Sequence, residues 1–141
     1  MTVGMLGPYE ILPEYEADQL VLRMGIELRE CTPERVVGTM PVGPNRQPMG
    51  LLHGGANAVL AETLGSVAAR LHAGPAGTAV GLDLSCSHHR AVRSGSVTGV
   101  CTPLHPGSTT ATYEIAVFDE HGNRTCTARL TCAIKRRRTG S

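Results

Sequence analysis

Two hydrophobic spacings divide the chain. Ile26 and Leu28 alternate with Glu27 and Arg29, the turn signal Thr32-Pro33-Glu34 follows, and Val36, Gly38, Met40 and Val42 resume the period of two. This predicts a hairpin. Ahead of it, Leu20, Val21 and Met24 stand at helical spacing after Pro13, which predicts a short helix over Pro13 to Met24. The stretch Gly43 to Gly50, with Pro44, Asn45 and Pro48, reads as a loop. From Gly55 to about His72 the period becomes helical: Leu60, Leu64, Val67 and Leu71 form one stripe, and Gly74-Pro75-Ala76-Gly77 ends it. Four strand-like segments follow, Ala79 to Ser87, Gly95 to Thr102, Thr110 to Phe118 and Thr125 to Ile134. In the first, Val80, Leu82, Leu84 and Cys86 oppose Gly81, Asp83 and Ser85. In the last, Cys126, Ala128, Leu130, Cys132 and Ile134 oppose Thr127, Arg129 and Thr131. The turn Asp119-Glu120-His121-Gly122-Asn123 joins the final two strands as a hairpin.

One long helix between an early hairpin and a run of strands predicts an α+β domain, a curved antiparallel sheet wrapped around a central helix. Such a sheet leaves edge strands, and pairing edge to edge across a two-fold axis would cover them, so at least a homodimer is expected. A length of 141 residues fits a single domain over 13–136, with 1–12 as a flexible N-terminus and 137–141 as a disordered basic tail.

Composition narrows the function classes. Hydrophobic residues at 41% and charged residues at 18% exclude a disordered chain, and no apolar run reaches the length of about 18 needed to enter a bilayer. The start Met1-Thr2-Val3-Gly4 has no basic region followed by an apolar stretch, so a cytoplasmic location is expected. Thirteen basic and twelve acidic residues nearly balance, but Lys135, Arg136, Arg137 and Arg138 supply four of the positive charges, leaving 9 − 12 = −3 for the rest. Only Tyr9, Tyr15, Tyr113 and Phe118 are aromatic, too few to stack nucleic-acid bases. Five cysteines, an odd number without a C-x-x-C pair, argue against a disulfide framework or zinc ribbon; Cys126 and Cys132 share the parity of their apolar neighbours and read as core thiols.

At 100° per residue, the leucine and valine stripe of the long helix is centred about 170° from Glu62. Glu62 is therefore expected to turn away from the sheet, flanked by Gly55, Ala58, Val59, Gly65, Ser66 and Ala69. Small and apolar residues in place of Lys, Glu and Gln imply a second buried face that another chain's backbone can approach. A plainer reading makes Glu62 a solvated residue in a chain with 17 glycines. Against that reading stands His53-Gly54-Gly55 immediately before the helix, where glycines expose unpaired N–H groups at the positive end of the helix dipole. A carboxylate and such donors are the parts of acyl transfer: a base or nucleophile, and stabilisation for a tetrahedral oxygen. Ser85, Ser87, Ser94 and Ser96 lack a G-x-S-x-G context, which argues against a serine hydrolase. His88 and His89 are adjacent in a predicted strand and point to opposite faces, so they do not share a metal.

The run Gln47-Pro48-Met49-Gly50-Leu51-Leu52-His53-Gly54-Gly55-Ala56, continued by Leu60-Ala61-Glu62-Thr63-Leu64-Gly65-Ser66-Val67-Ala68, resembles the hotdog-fold acyl-CoA thioesterases. The group in question includes the phenylacetate-pathway, 4-hydroxybenzoyl-CoA and 1,4-dihydroxy-2-naphthoyl-CoA thioesterases, and the likeness to the last is strongest. It extends from about Gly25 to Ile134 and takes in Val80-Gly81-Leu82, His88, Gly99-Val100-Cys101 and Leu104-His105-Pro106-Gly107. The resemblance implies that Glu62 is the catalytic carboxylate, as nucleophile or as base for water. By the same likeness Gly54 donates its N–H to the thioester carbonyl, His53 and Gln47 hold that end of the substrate, and Ser66 positions the water or the carboxylate. Gly81, His88 and His89 would contact substrate, with His88 bordering the acyl pocket. The site would be shared, Gln47 to Gly54 from one subunit and Glu62 with Ser66 from the other, in a dimer that pairs into a tetramer.

Arg90 and Arg93 are the cations expected for the CoA phosphates, and His105-Pro106-Gly107-Ser108 resembles the family's CoA-contacting turn; ordinary solvated arginines and a plain hairpin are the competing description. No metal or redox cofactor is implied, and neither is a nucleic-acid or membrane partner. A non-catalytic acyl-CoA-binding hotdog module is the alternative function. A hotdog dehydratase would need a His and Asp pairing that the sequence does not offer.

Overall fold

The computed structural model describes residues 19–136. The expected flexible N-terminus (1–12), positions 13–18 of the expected first helix and the basic tail (137–141) lie outside the described residues. Within them the order is α1 (Leu20–Arg23), β1 (Glu27–Thr32), β2 (Arg35–Pro41), a 3-10 turn (Gly43–Asn45), α2 (Gly54–Ala73), β3 (Gly77–His88), β4 (Ser96–Pro106), β5 (Thr110–Phe118) and β6 (Arg124–Arg136). The predicted hairpin, long helix and four later strands are all present. β4 runs past the expected Thr102 through two prolines. From Thr102 onward it has lost its β2 neighbour, so the missing N–H groups of Pro103 and Pro106 cost no ladder bond on that side.

The six strands form one antiparallel sheet in the order β1-β2-β4-β5-β6-β3, leaving β1 and β3 as edges. α2 crosses the inner face and buries Leu60, Leu64 and Val67 against it. It sits close because glycines on the sheet and on the helix leave room for leucines of the other. A Cβ at Gly99 would lie 2.6 Å from Leu64 Cδ1, and one at Gly65 would lie 2.5 Å from Leu130 Cδ2. This is the α+β hotdog arrangement expected from the sequence.

β3 departs from the expected alternation. A bulge between Gly81 and Asp83 inserts Leu82 as an extra residue against β6. Ala79 pairs with inward Ile134 and Gly81 with inward Cys132. Beyond the bulge Leu84, Cys86 and His88 pair with inward Leu130, Ala128 and Cys126. Val80 and Leu82, which the alternation puts on one face with Leu84 and Cys86, are instead on the other, 57% and 61% exposed on the edge strand.

The β6 parity is as expected: Cys126, Ala128, Leu130, Cys132 and Ile134 are buried. All five cysteines are free. Burial pushes the Cys31 and Cys132 thiols up to about 11 and those of Cys101 and Cys126 up to about 12, so they behave as small hydrophobic groups. Among the described residues no helix is long and apolar enough to cross a membrane.

Candidate active site

The start of α2 is held by two loops tied together. Arg46 donates from Nε and Nη2 to the Arg93 carbonyl, at 3.2 and 2.9 Å, and Leu52 N–H donates to the Val92 carbonyl at 2.8 Å. Asn45, buried, donates to the carbonyls of Met24 and Pro41, while its own carbonyl accepts from His53 N–H at 2.8 Å. His53 is the N-cap of α2, its Nδ1 accepting from Gly55 N–H at 2.8 Å. Gly54 N–H, at the first helical position, has no acceptor among the described residues. Its proton points out of the positive end of the helix dipole.

That N–H opens onto a cleft of about 410 Å³ lined in part by Gln47, Gly54, Asn57, His88, His89 and Arg90. The Gln47 carbonyl oxygen Oε1 accepts from Met49 N–H and, at 3.4 Å, from Leu51 N–H. Loop bonding thus consumes the acceptor end of the amide and leaves Nε2 as a donor for a ligand. His88 reaches the same place from the end of β3: its Nε2 is 3.1 Å from where a Cβ on Gly54 would stand, a close approach of the ring to the helix start. His89, the residue after β3, borders the cleft but has its ring tied to β6, with Nε2 2.9 Å from Thr127 Oγ1.

Asn57 was not singled out from the sequence. It is buried in the first turn of α2, with Nδ2 3.4 Å from His88 Nδ1 and Oδ1 lacking any partner among the described residues. The available signal was a lone amide in the otherwise small and apolar run from Gly54 to Ala61.

Glu62 is exposed in the single chain, and its carboxylate lies against the edge strand: a Cβ on Gly81 would stand 2.9 Å from Oε2. Its negative charge also contributes, after burial, to the raised Cys132 pKa. Glu62 therefore faces β3 instead of turning away from the sheet. Gly65 and Ala69, expected beside it on the far side, are buried against the chain's own sheet. The open face comprises Gly55, Ala58, Val59, Glu62 and Ser66.

The chain does not bring all the predicted residues together. Glu62 follows Gly54 by eight residues (62 − 54 = 8), or about 12 Å of helix axis, beyond the reach of one thioester carbon. The His53 ring lines a separate hollow with Met24, Asn45 and Val59, away from Gln47. Arg90 shares the Gly54 cleft, whereas Arg93 lines a neighbouring one with Ser94 and His121. The His105 to Ser108 turn sits at the opposite end of α2. There His72 Nε2 is 2.7 Å from the Gly107 carbonyl, and Arg136 donates to the carbonyls of Ser108 and His72.

Residues 49–126, more than half of the chain, match the family model described as the thioesterase superfamily. The proofreading thioesterase EntH of Cronobacter turicensis is 47% identical over 126 residues, 89% of this chain and 92% of that protein. A crystal structure of the Pseudomonas aeruginosa thioesterase PA1618, with a glutamine replaced by alanine, superposes with a TM-score of 0.84 at 37% identity over 91% of this chain and 94% of that one. The Staphylococcus aureus protein SAV0944, solved with a glutamate replaced by alanine, gives a TM-score of 0.80 at 27% identity over 84% of this chain and 100% of that one; it was also solved with a glutamine so replaced. Family model, relatives and architecture agree: the chain belongs to the thioesterase superfamily, as a thioester hydrolase with a hotdog fold.

Proposed function

We propose that the protein hydrolyses acyl-CoA thioesters to free acid and CoA at a site shared by two copies of the chain. One observation carries this: an N–H without an acceptor at Gly54 opens onto a cleft, while the lone carboxylate of the same helix stands a further 12 Å or so along its open face. Antiparallel apposition of two α2 helices across a two-fold axis brings Glu62 of one copy to Gly54 of the other and covers both. The exposed β3 edge, with Val80 and Leu82, is the surface for that pairing. The same operation carries the far end of the second copy's helix, with its His105, Gly107 and Ser108 turn, toward Arg90 and Arg93 of the first. These are the groups proposed for the CoA phosphates and pantetheine, with Gly81, His88 and His89 about the acyl group.

In the reaction Gly54 N–H and Gln47 Nε2 hold the carbonyl oxygen. Glu62 either takes a proton from water as its oxygen bonds to the carbonyl carbon, or attacks that carbon itself to give an anhydride that water cleaves. Collapse of the tetrahedral oxyanion breaks the C–S bond, and the CoA thiolate leaves and is protonated. Ser66, one turn beyond Glu62, positions the water or the carboxylate, and His53 acts through its cap on the helix start. The chemistry requires no metal or redox cofactor. Spacing supports the pair: the glutamate and glutamine replaced in the two solved forms of SAV0944 are 15 positions apart, as are Glu62 and Gln47 (62 − 47 = 15).

The substrate class proposed is aromatic or medium acyl groups, with 1,4-dihydroxy-2-naphthoyl-CoA among them, handled in the cytoplasm. Thiol release from a panel of naphthoyl, phenylacetyl, hydroxybenzoyl and fatty acyl CoA esters tests it. Glu62→Ala should lower kcat by at least about 10²–10⁴-fold on the best substrate. Tight CoA-ester binding without thiol release by the unaltered protein would instead make it an acyl-CoA-binding module.

A further inference from the structure

We propose that Asn57 is a positioning residue that fixes the tautomer of His88, so that His88 Nε2–H joins Gly54 N–H and Gln47 Nε2 as a third donor to the substrate carbonyl oxygen. This rests on the thioesterase site proposed above and adds a group to it. An amide NH₂ can only donate, so the contact of Asn57 Nδ2 with His88 Nδ1, at 3.4 Å, makes Nδ1 the acceptor and leaves the proton of the neutral ring on Nε2. Nε2 lies directly over Gly54, 3.1 Å from the position of an added Cβ, beside the N–H that has no acceptor. Both residues line the same cleft. The contact is long, as catalytic hydrogen bonds often are before substrate binds and tightens them.

The surroundings favour the same tautomer. From β6 the register partner of His88 is Cys126, a buried thiol. The adjoining loop contributes His89, which is turned to Thr127, and Arg90; no carboxylate lines the cleft among the described residues to draw a proton onto Nδ1. A second observation concerns Asn57 itself. Its Oδ1 is buried without a partner among the described residues, so the amide's one hydrogen-bond contact there is the one to His88.

The decisive variant is Asn57→Asp, which can only accept and therefore pulls the His88 proton to Nδ1. Long-range ¹H–¹⁵N NMR on full-length protein labelled at histidine nitrogens reads the tautomer directly, with His88→Gln identifying the signal. The expected result is Nε2–H in the unaltered protein and Nδ1–H in Asn57→Asp. For turnover, kcat of Asn57→Asp should fall about 10²-fold, the scale of one lost carbonyl donor. Asn57→Ala, which frees the ring, should lose about tenfold in kcat with KM little changed and melt no lower than the unaltered protein. An Nδ1–H tautomer in the unaltered protein, or the same tautomer in Asn57→Asp, would overturn the proposal. The NMR arm needs no substrate, so it decides the role of Asn57 even if the thioester panel shows no hydrolysis.

Discussion

The Glu62 carboxylate occupies the space that a side chain on Gly81 would take, with Oε2 2.9 Å from the position of an added Cβ. A local irregularity in the sheet makes this possible. Gly81 and His88 have opposite parity along β3, and an unbroken strand would send one of them outward. The bulge at Leu82 puts both on the helix side, Gly81 beneath Glu62 and His88 over Gly54.

Gly81→Ala should therefore displace the carboxylate without disturbing the core. The added methyl meets the flexible end of a side chain, so folding should be retained. A misplaced catalytic group loses rate, here about 10–100-fold in kcat. Circular dichroism and thiol-release kinetics on the same preparation check both halves, and a fully active Gly81→Ala would separate Glu62 from the chemistry.

The β3 edge offers a second test. A lysine at Leu82, which is 61% exposed on that strand, should block edge-to-edge pairing. Sedimentation velocity should then show a monomer, and turnover should vanish with the dimer because each site draws on both copies. An active monomer would refute the shared site, whereas sedimentation of the unaltered protein distinguishes dimer from tetramer.

Tyr113 is wholly buried in β5 and its hydroxyl has no hydrogen-bond partner among the described residues. Burial, followed by the neighbouring Cys101 and Cys132 sulfurs, pushes its pKa up to about 12. Tyr113→Phe removes an unsatisfied polar atom and keeps the ring. Urea unfolding should show stability unchanged or raised by about 1 kcal/mol; a loss beyond about 1 kcal/mol would mean that the hydroxyl has a partner in solution.

Alkaline pH should weaken the fold. Burial raises Cys31 and Cys132 from 9.0 to about 11 and Cys101 and Cys126 to about 12. Groups whose pKa is raised on folding contribute fully below the unfolded value and lose that contribution as pH climbs through the folded one. The melting temperature should thus be insensitive to these thiols up to about pH 9 and fall between about pH 9 and 12. A flat melting temperature across that range would contradict the burial of the four sulfurs.

The sequence by itself determined the element order, the β6 parity, the hairpins and the glycine-preceded helix bearing one carboxylate. Each is written in short-range spacing, which backbone periodicity converts directly into a buried and an exposed side. Asn57 escaped because a single amide in a helix says nothing until burial shows which of its atoms lack partners. The tertiary structure alone decided that a bulge at Leu82 resets β3, exposing Val80 and Leu82 while aiming Gly81 and His88 inward. It also decided that the Glu62 carboxylate lies against the edge strand β3 and that the His53 ring faces away from Gln47. Bulges and side-chain approach depend on how a strand matches its neighbour in space, and one strand's alternation carries no record of that match.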